Sequence, residues 1–339
     1  MKRNRQLITA VCASAGMLAL ILDSKTALQG AAEGVELCIK TVIPNLFPFF
    51  VLSSLLLSAV STARLSILKP IGRLCGIPKG SETILLVGFL GGYPVGAQCI
   101  SQAYSTGQLS KNDSARMLGF CNNAGPAFIF GMSGMLFQKT NIAFALWIVH
   151  ICSALLVGTV LPNKSNGQIK CDLNKSNGHP LPIALRNIGT VCGWVILFRT
   201  LICFIDRWFL WLVPKEIRIF LTGILELANG YLELTQIPGE ELRFIFASIL
   251  LSFGGICVGL QTLSIASQTG LETRYYFPGK ILQAIISAAL SIAISQILFK
   301  QSNISPLTIL PLAAIVIAIS LHLLKNQKIC SSIPEASVV

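Results

Sequence analysis

Apolar runs recur from one end of the chain to the other, separated by short polar pieces. They lie at roughly 6–23, 41–60, 83–100, 119–137, 142–161, 187–213, 220–234, 242–261, 279–299 and 306–324. Runs of this length predict α-helices that cross a membrane. They do not alternate with period two, as the strands of a membrane β-barrel would. The pattern predicts an all-α, polytopic integral membrane protein with about eight transmembrane helices plus discontinuous or re-entrant segments.

The pieces between the runs refine this picture. Lys2, Arg3 and Arg5 precede the first run, and no convincing small-x-small cleavage site follows it, so a retained first helix with a cytoplasmic N-terminus is expected. Residues 26–40 are mixed and read as an amphipathic lead-in. The run 41–60 contains Pro44 and Pro48, which predict a kink or a late start, because proline lacks an N–H and disturbs the preceding turn. A connector with Pro70 and Pro78 covers 62–82, and Ser110 or Asn112 is placed to cap the helix that carries Arg116. The hydrophilic loop 162–181 divides the chain into two unequal halves. The final two runs read as plain spans, and Lys325 and Lys328 after the last one favour a cytoplasmic C-terminus.

Three runs are interrupted in a way that a simple span does not need. Gly91-Gly92-Tyr93-Pro94-Val95-Gly96-Ala97-Gln98 is echoed by Gly254-Gly255-Ile256-Cys257-Val258-Gly259-Leu260-Gln261, with the shared form G-G-x-x-V-G-x-Q. Paired glycine-interrupted segments in a membrane chain point to a transporter's binding site. Between the copies, Cys121-Asn122-Asn123-Ala124-Gly125-Pro126 places adjacent amides before a Gly-Pro break. Such groups at membrane depth are costly unless paired, so they either bind a ligand or cross-link helices.

Composition supports the membrane reading and removes several function classes. The chain has 339 residues, 53% hydrophobic and 12% charged, with a mean hydropathy of +0.71; soluble domains carry about 25% charge. The formal net charge of +12 sits in loops and at helix ends, suiting an anionic membrane face, and no nucleic-acid motif appears, so no nucleic-acid partner is expected. The 11 cysteines are scattered without CxxC spacing and read as small buried hydrophobes. No Ser-His-Asp, HExxH or P-loop pattern occurs, and His150 sits in an apolar span where packing is its ordinary role. No enzyme activity, metal or cofactor is expected.

Two candidate substrate sites follow. The first combines Gly92, Pro94, Gly96, Gln98, Asn122, Asn123 and Ser133. A broken helix exposes N–H groups that favour an anion, and paired amides suit a planar polar molecule. The second combines Glu226, Asn229, Gly255, Gly259, Gln261 and Ser264, with Glu226 balancing a proton or cation, or instead capping a helix or pairing with Arg199. Arg199 is the candidate for holding an anion, against an internal pair with Asp206 seven residues on. The alternative for both sites is that the same groups satisfy one another and let helices pack closely.

At these motifs the chain resembles the sporulation integral membrane proteins of the YlbJ group, within the nucleoside-recognition or gate-domain membrane proteins. The matching features are Lys40-Thr41-Val42-Ile43-Pro44-Asn45-Leu46-Phe47-Pro48-Phe49-Phe50, Gly92 to Ala97 and Cys121 to Pro126, with weaker matches at Gly223 to Gly230 and Gly254 to Gly259. Together they cover roughly 36–270. The resemblance implies two gate-like repeats, at 36–161 and 182–270, between an N-terminal helix and connector at 1–35 and C-terminal helices and tail at 271–339. It implies a multi-pass protein of the cell membrane that transports a small organic anion, with dipicolinate as the substrate class and the endospore cortex as the setting. It also keeps nucleosides as substrates. The lipid bilayer is then the obligatory partner, and the reading admits a coupling ion and a homo-oligomer. A non-transporting scaffold or assembly factor in the cell envelope is the rival function: a polar cavity joining the broken segments favours transport, and complete mutual packing favours the scaffold.

Overall fold

The computed structural model describes residues 2–60, 66–137, 139–162, 180–209 and 212–299, and the regular elements among them are helices. The protein is an all-α, polytopic membrane protein. Among the described residues five stretches are long and apolar enough to cross a membrane: Ser24–Leu52, Thr140–Val160, Leu181–Trp208, Glu240–Thr269 and Tyr276–Phe299. The span expected at 306–324, the residues Lys325 and Lys328 behind it, and most of the loop 162–181 lie outside the described residues.

α1 (Lys2–Leu22) leads through Asp23, whose carboxylate accepts from Thr26 N at 3.3 Å, into α2 (Ser24–Leu37). α2 does not end in a lead-in as its mixed composition suggests. It passes through a π-helical turn at Cys38–Val42 into α3 (Ile43–Val60). The Asn45 amide adds a side-chain bond at this turn, donating to Thr41 O at 2.9 Å, and the π-helical turn stands directly before Pro44, which has no N–H to give. The acidic residues of α2 are paired, Glu36 with Lys40 at 2.6 Å and Glu33 with Arg199, so they do not stop the helix. Gly30 and Gly34 lay the α2 backbone on α10 (Pro180–Trp208): a Cβ there would stand 2.7 Å from Thr200 Cα and 2.8 Å from Ile196 Cα. This is the close small-residue packing that membrane helices use.

After a short α4 (Lys69–Leu74), the interrupted runs fold as half-helices. α5 (Glu82–Leu90) and α6 (Val95–Ser105) flank the break Gly91–Pro94, in which the Tyr93–Pro94 bond is cis. α7 (Lys111–Cys121), N-capped by Ser110, and α8 (Pro126–Phe137) flank Asn122–Gly125. The unbroken α9 (Thr140–Val160) follows. In the second half α11 (Lys215–Leu225) and α12 (Leu227–Glu233) flank Glu226, while α13 (Glu240–Phe253) and α14 (Gly255–Thr269) meet at Gly254. Gly254 takes φ 84°, where a side chain is strained, and its N–H closes α13 on Leu250 O at 2.8 Å.

Each half crosses its two broken helices at the breaks. A Cβ on Gly88 or Gly96 would strike the Cys121 carbonyl, so α5 and α6 are pressed onto the end of α7. In the second pair, a Cβ on Gly255 would lie 3.2 Å from Leu227 N. The two G-G-x-x-V-G-x-Q copies are not used alike. The first opens a four-residue break in the first helix of its pair, and the second opens a left-handed link in the second helix of its pair. The half-helices that follow the copies, α6 and α14, pack on each other, joined by Ser101 Oγ and Thr269 Oγ1 at 2.7 Å.

The last described helix, α15 (Tyr276–Phe299), packs on α7, α9 and α13. It is not the plain span its hydrophobicity predicts. Lys280, Gln283, Ser287, Ser291 and Ser295 are each 0% exposed. Their three- and four-residue spacing places them on one face, turned into the protein.

Candidate functional site

The breaks surround a cavity of about 50 Å³. Gly91, Gly92 and Tyr93 contribute from the first break, Ala124 and Gly125 from the second, and Glu226, Leu227 and Ala228 from the third. Val258 and Gln261 of α14 close it, with α3 and α10 supplying apolar walls such as Phe50 and Val195. The start of α8 borders this space through Gly125, Ala127 and Phe128, so a helix N-terminus with its partial positive charge lies there.

Two polar side chains on the wall differ in how they are satisfied. Glu226 is 3% exposed and caps α12: its oxygens accept from Ala228 N at 3.1 Å, Asn229 N at 2.7 Å and Asn229 Nδ2 at 2.7 Å. Its charge thus lies on a helix start. Gln261 is 2% exposed; its Nε2 reaches Cys257 Sγ at 3.5 Å, but its Oε1 has no hydrogen-bond partner among the described residues. A buried amide oxygen without a donor is costly, and a ligand or water in the cavity would satisfy it.

Tyr93 separates the cavity from a second polar cluster. Its hydroxyl donates to Leu251 O at 3.5 Å, and its ring lies 5.3 Å from Lys280 Nζ. Lys280 donates to Asn123 Oδ1 at 3.0 Å and to Gln283 Oε1 at 2.9 Å. Gln283 Nε2 in turn donates to Asn123 Oδ1 at 3.1 Å and to His150 O at 3.4 Å. Ala124 N donates to His150 Nε2 at 3.2 Å, so the ring proton belongs on Nδ1, which faces Ser252 Oγ at 3.4 Å. The imidazole is therefore neutral and fixes the backbone of the Asn122–Gly125 break.

Of the residues expected to bind substrate, Gly92, Glu226 and Gln261 line the cavity. Pro94, Gly96 and Asn122 form the crossing behind it, where Asn122 Oδ1 accepts from Ala97 N at 3.2 Å and Nδ2 donates to Thr262 Oγ1 at 2.9 Å. Asn123 belongs to the Lys280 cluster, and Asn229 serves the α12 cap. The others stand apart. Gln98 Nε2 donates to Asn187 Oδ1 at 2.7 Å, and Ser133 Oγ shares a 2.9 Å bond with Tyr231 Oη. Gly259 packs on the Phe277 ring, Gly255 on the α11–α12 link, and Ser264 is exposed.

Arg199 sits in neither group. Its Nε and NH2 donate to Glu33 Oε2 at 2.9 and 2.6 Å, and its NH1 lies 3.7 Å from Glu233. The expected partner Asp206 pairs instead with Arg218, at 3.6 Å. Seven residues along one helix is too far for a direct pair, whereas α2 brings Glu33 alongside.

Lys280, Gln283, Tyr93 and Asn187 were not singled out by sequence reasoning. The available signal was a lone lysine inside an apolar run, directly after Pro278-Gly279. Among the described residues no group of three or more His, Cys, Asp or Glu side chains is placed to hold a metal.

No family model matches the chain, and no solved structure matches it. The chain is similar to the sporulation integral membrane protein YlbJ of Bacillus subtilis (strain 168), 23% identical over 319 residues, which cover 79% of this chain and 78% of that protein. The match supports a YlbJ-like family. With the apolar helices it supports a multi-pass, sporulation-related integral membrane protein.

Proposed function

We propose that this protein is a secondary transporter or facilitator of a small organic anion, with dipicolinate as the substrate class and endospore cortex formation as its setting. The cavity at the meeting of the breaks carries the reading. Broken helices in a membrane place helix ends around a substrate, and here the start of α8, with Gly125 and Ala127 on the cavity wall, supplies positive partial charge. The similarity to a sporulation protein supplies the setting.

A cavity of about 50 Å³ holds a few waters, not an aromatic dianion. Transport then requires one pair of broken helices to move against the other and enlarge the space, as in alternating access. The proposal keeps both termini on the cytoplasmic face and the lipid bilayer as the surrounding partner, and it admits a coupling ion and a homo-oligomer.

One observation favours the rival scaffold reading: Asn122, Gln98 and Ser133 all spend their polar atoms on other helices. Uptake of labelled dipicolinate into liposomes containing the purified chain, beside nucleoside and empty-liposome controls, separates the two. Saturable dipicolinate uptake that is lost in Asn122→Leu is expected. Folded, inserted protein that takes up neither ligand would overturn transport in favour of the scaffold, and uptake of nucleoside alone would replace the anion with that substrate.

A further inference from the structure

Resting on the transport reading, we propose that Lys280 is the fixed cation that receives the anionic group of the substrate, reached from the cavity past the ring of Tyr93. The substrate class is a small molecule bearing a carboxylate or similar oxyanion.

The argument begins with burial. Lys280 is 0% exposed and stands in α15, which is long and apolar enough to cross a membrane. Ionisable groups buried in a membrane-spanning protein are expensive and are held by partners or by function. Its partners are all neutral: Asn123 Oδ1 at 3.0 Å, Gln283 Oε1 at 2.9 Å and the Tyr93 ring at 5.3 Å. They engage the three donors of an ammonium without balancing its charge. Among the described residues no ion pair reaches Lys280.

Other charges in the interior are treated differently. Arg199 is met by Glu33 and Glu233. Glu226 lies on the N-terminus of α12 and is held by three N–H bonds. Arg116, 3% exposed, also has no ion pair among the described residues, but four carbonyls, of Cys75, Gly76, Gly158 and Leu161, surround its guanidinium, and none of these residues lines the cavity. Lys280 is left for a counter-charge that arrives from outside the chain. The position suits a substrate: Tyr93 contributes to the cavity wall and also covers the ammonium, so displacement of one ring opens Lys280 to the cavity. The asparagine and glutamine around Lys280 would then accept from, or donate to, the rest of a polar ligand.

A purely structural Lys280 would tie α15 to the Asn123 break through its hydrogen bonds alone, and a charge-neutral donor tests this. The full chain is compared as wild type, Lys280→Met and Lys280→Gln. Glutamine keeps N–H donors for Asn123 and Gln283 but carries no charge. Both variants are expected to melt no lower than wild type, because an uncompensated buried charge has been removed. Both are expected to lose dipicolinate uptake by about 100-fold or more, and to lose the rise in melting temperature that dipicolinate gives the wild type. Lys280→Gln that folds and transports within about threefold of wild type, a difference within the ordinary context dependence of such contacts, would overturn the assignment and leave transport standing. Variants that both melt lower than wild type but still show the dipicolinate-induced rise would also overturn it. Wild-type protein that shows neither uptake nor a melting response overturns the functional proposal itself, a failure visible before any variant is measured.

Discussion

Asn123 and Lys280 stand 157 residues apart in sequence and share a 3.0 Å hydrogen bond in a fully buried part of the protein. The bond links the break after α7 to the last described helix. It makes Asn123 a hub, since its Oδ1 also accepts from Gln283 Nε2 at 3.1 Å while its Nδ2 donates to Phe120 O at 2.6 Å. Adjacent amides before Gly-Pro were open between binding a ligand and cross-linking helices, and both cross-link: Asn122 joins α6 to α14, and Asn123 joins the break to α15.

Asn123→Leu removes an acceptor from a buried ammonium, so it should destabilise the protein by about 2–3 kcal/mol. Adding Lys280→Met should recover a large part of that loss, because the stranded charge is gone. A double-mutant cycle on thermal unfolding in detergent measures this coupling. Additive losses would mean that the two side chains do not depend on each other.

Arg199→Gln and Glu33→Gln should each cost about 1–3 kcal/mol, between the values for exposed and buried pairs, because the pair is partly shielded, with side chains 22% and 34% exposed. Dipicolinate uptake should persist in both, since the pair clasps α2 to α10 and is not part of the cavity wall. Uptake abolished in Arg199→Gln, with the folded yield unchanged, would return Arg199 to the substrate path.

Gly96→Ala drives a methyl group into the Cys121 carbonyl at the first crossing, and Gly134→Ala meets nothing within 4 Å. The first should cost about 1–3 kcal/mol or more through overpacking. The second should be neutral or slightly stabilising, as alanine is the better helix former. Monodisperse yield and melting temperature in the same detergent compare them. Equal behaviour would mean that the crossing yields more readily than its geometry implies.

The helix breaks were legible because proline and glycine act locally. Pro94, Pro126, Gly92 and Gly254 interrupt their own backbone whatever surrounds them, and the runs on either side are apolar enough to name the environment. Glu226 was open between a coupling carboxylate, a partner of Arg199 and a helix cap, and the Ala228 and Asn229 N–H groups around it make it the cap of α12. The composition of 26–40 misled, because Glu33, Glu36 and Lys40 look like the end of a span until their partners are known. The echo misled in another way. Two similar octapeptides adopt different breaks, since the conformation of each glycine pair is completed by what lies against it: Gly125 beside Gly92, and Tyr93 beside Gly254.

By itself the sequence determined the all-α membrane class, the breaks at Gly91–Pro94, Asn122–Gly125 and Gly254 and the adjacent amides, though not the break at Glu226, because these depend on hydrophobic run length and on the backbone chemistry of a few residues. The tertiary structure alone decided which charges are paired, that Arg199 belongs to Glu33, and that Lys280 is buried among neutral groups behind Tyr93. Those outcomes depend on distances between residues more than a hundred positions apart, and hydrophobic periodicity carries no record of which faces of two helices meet.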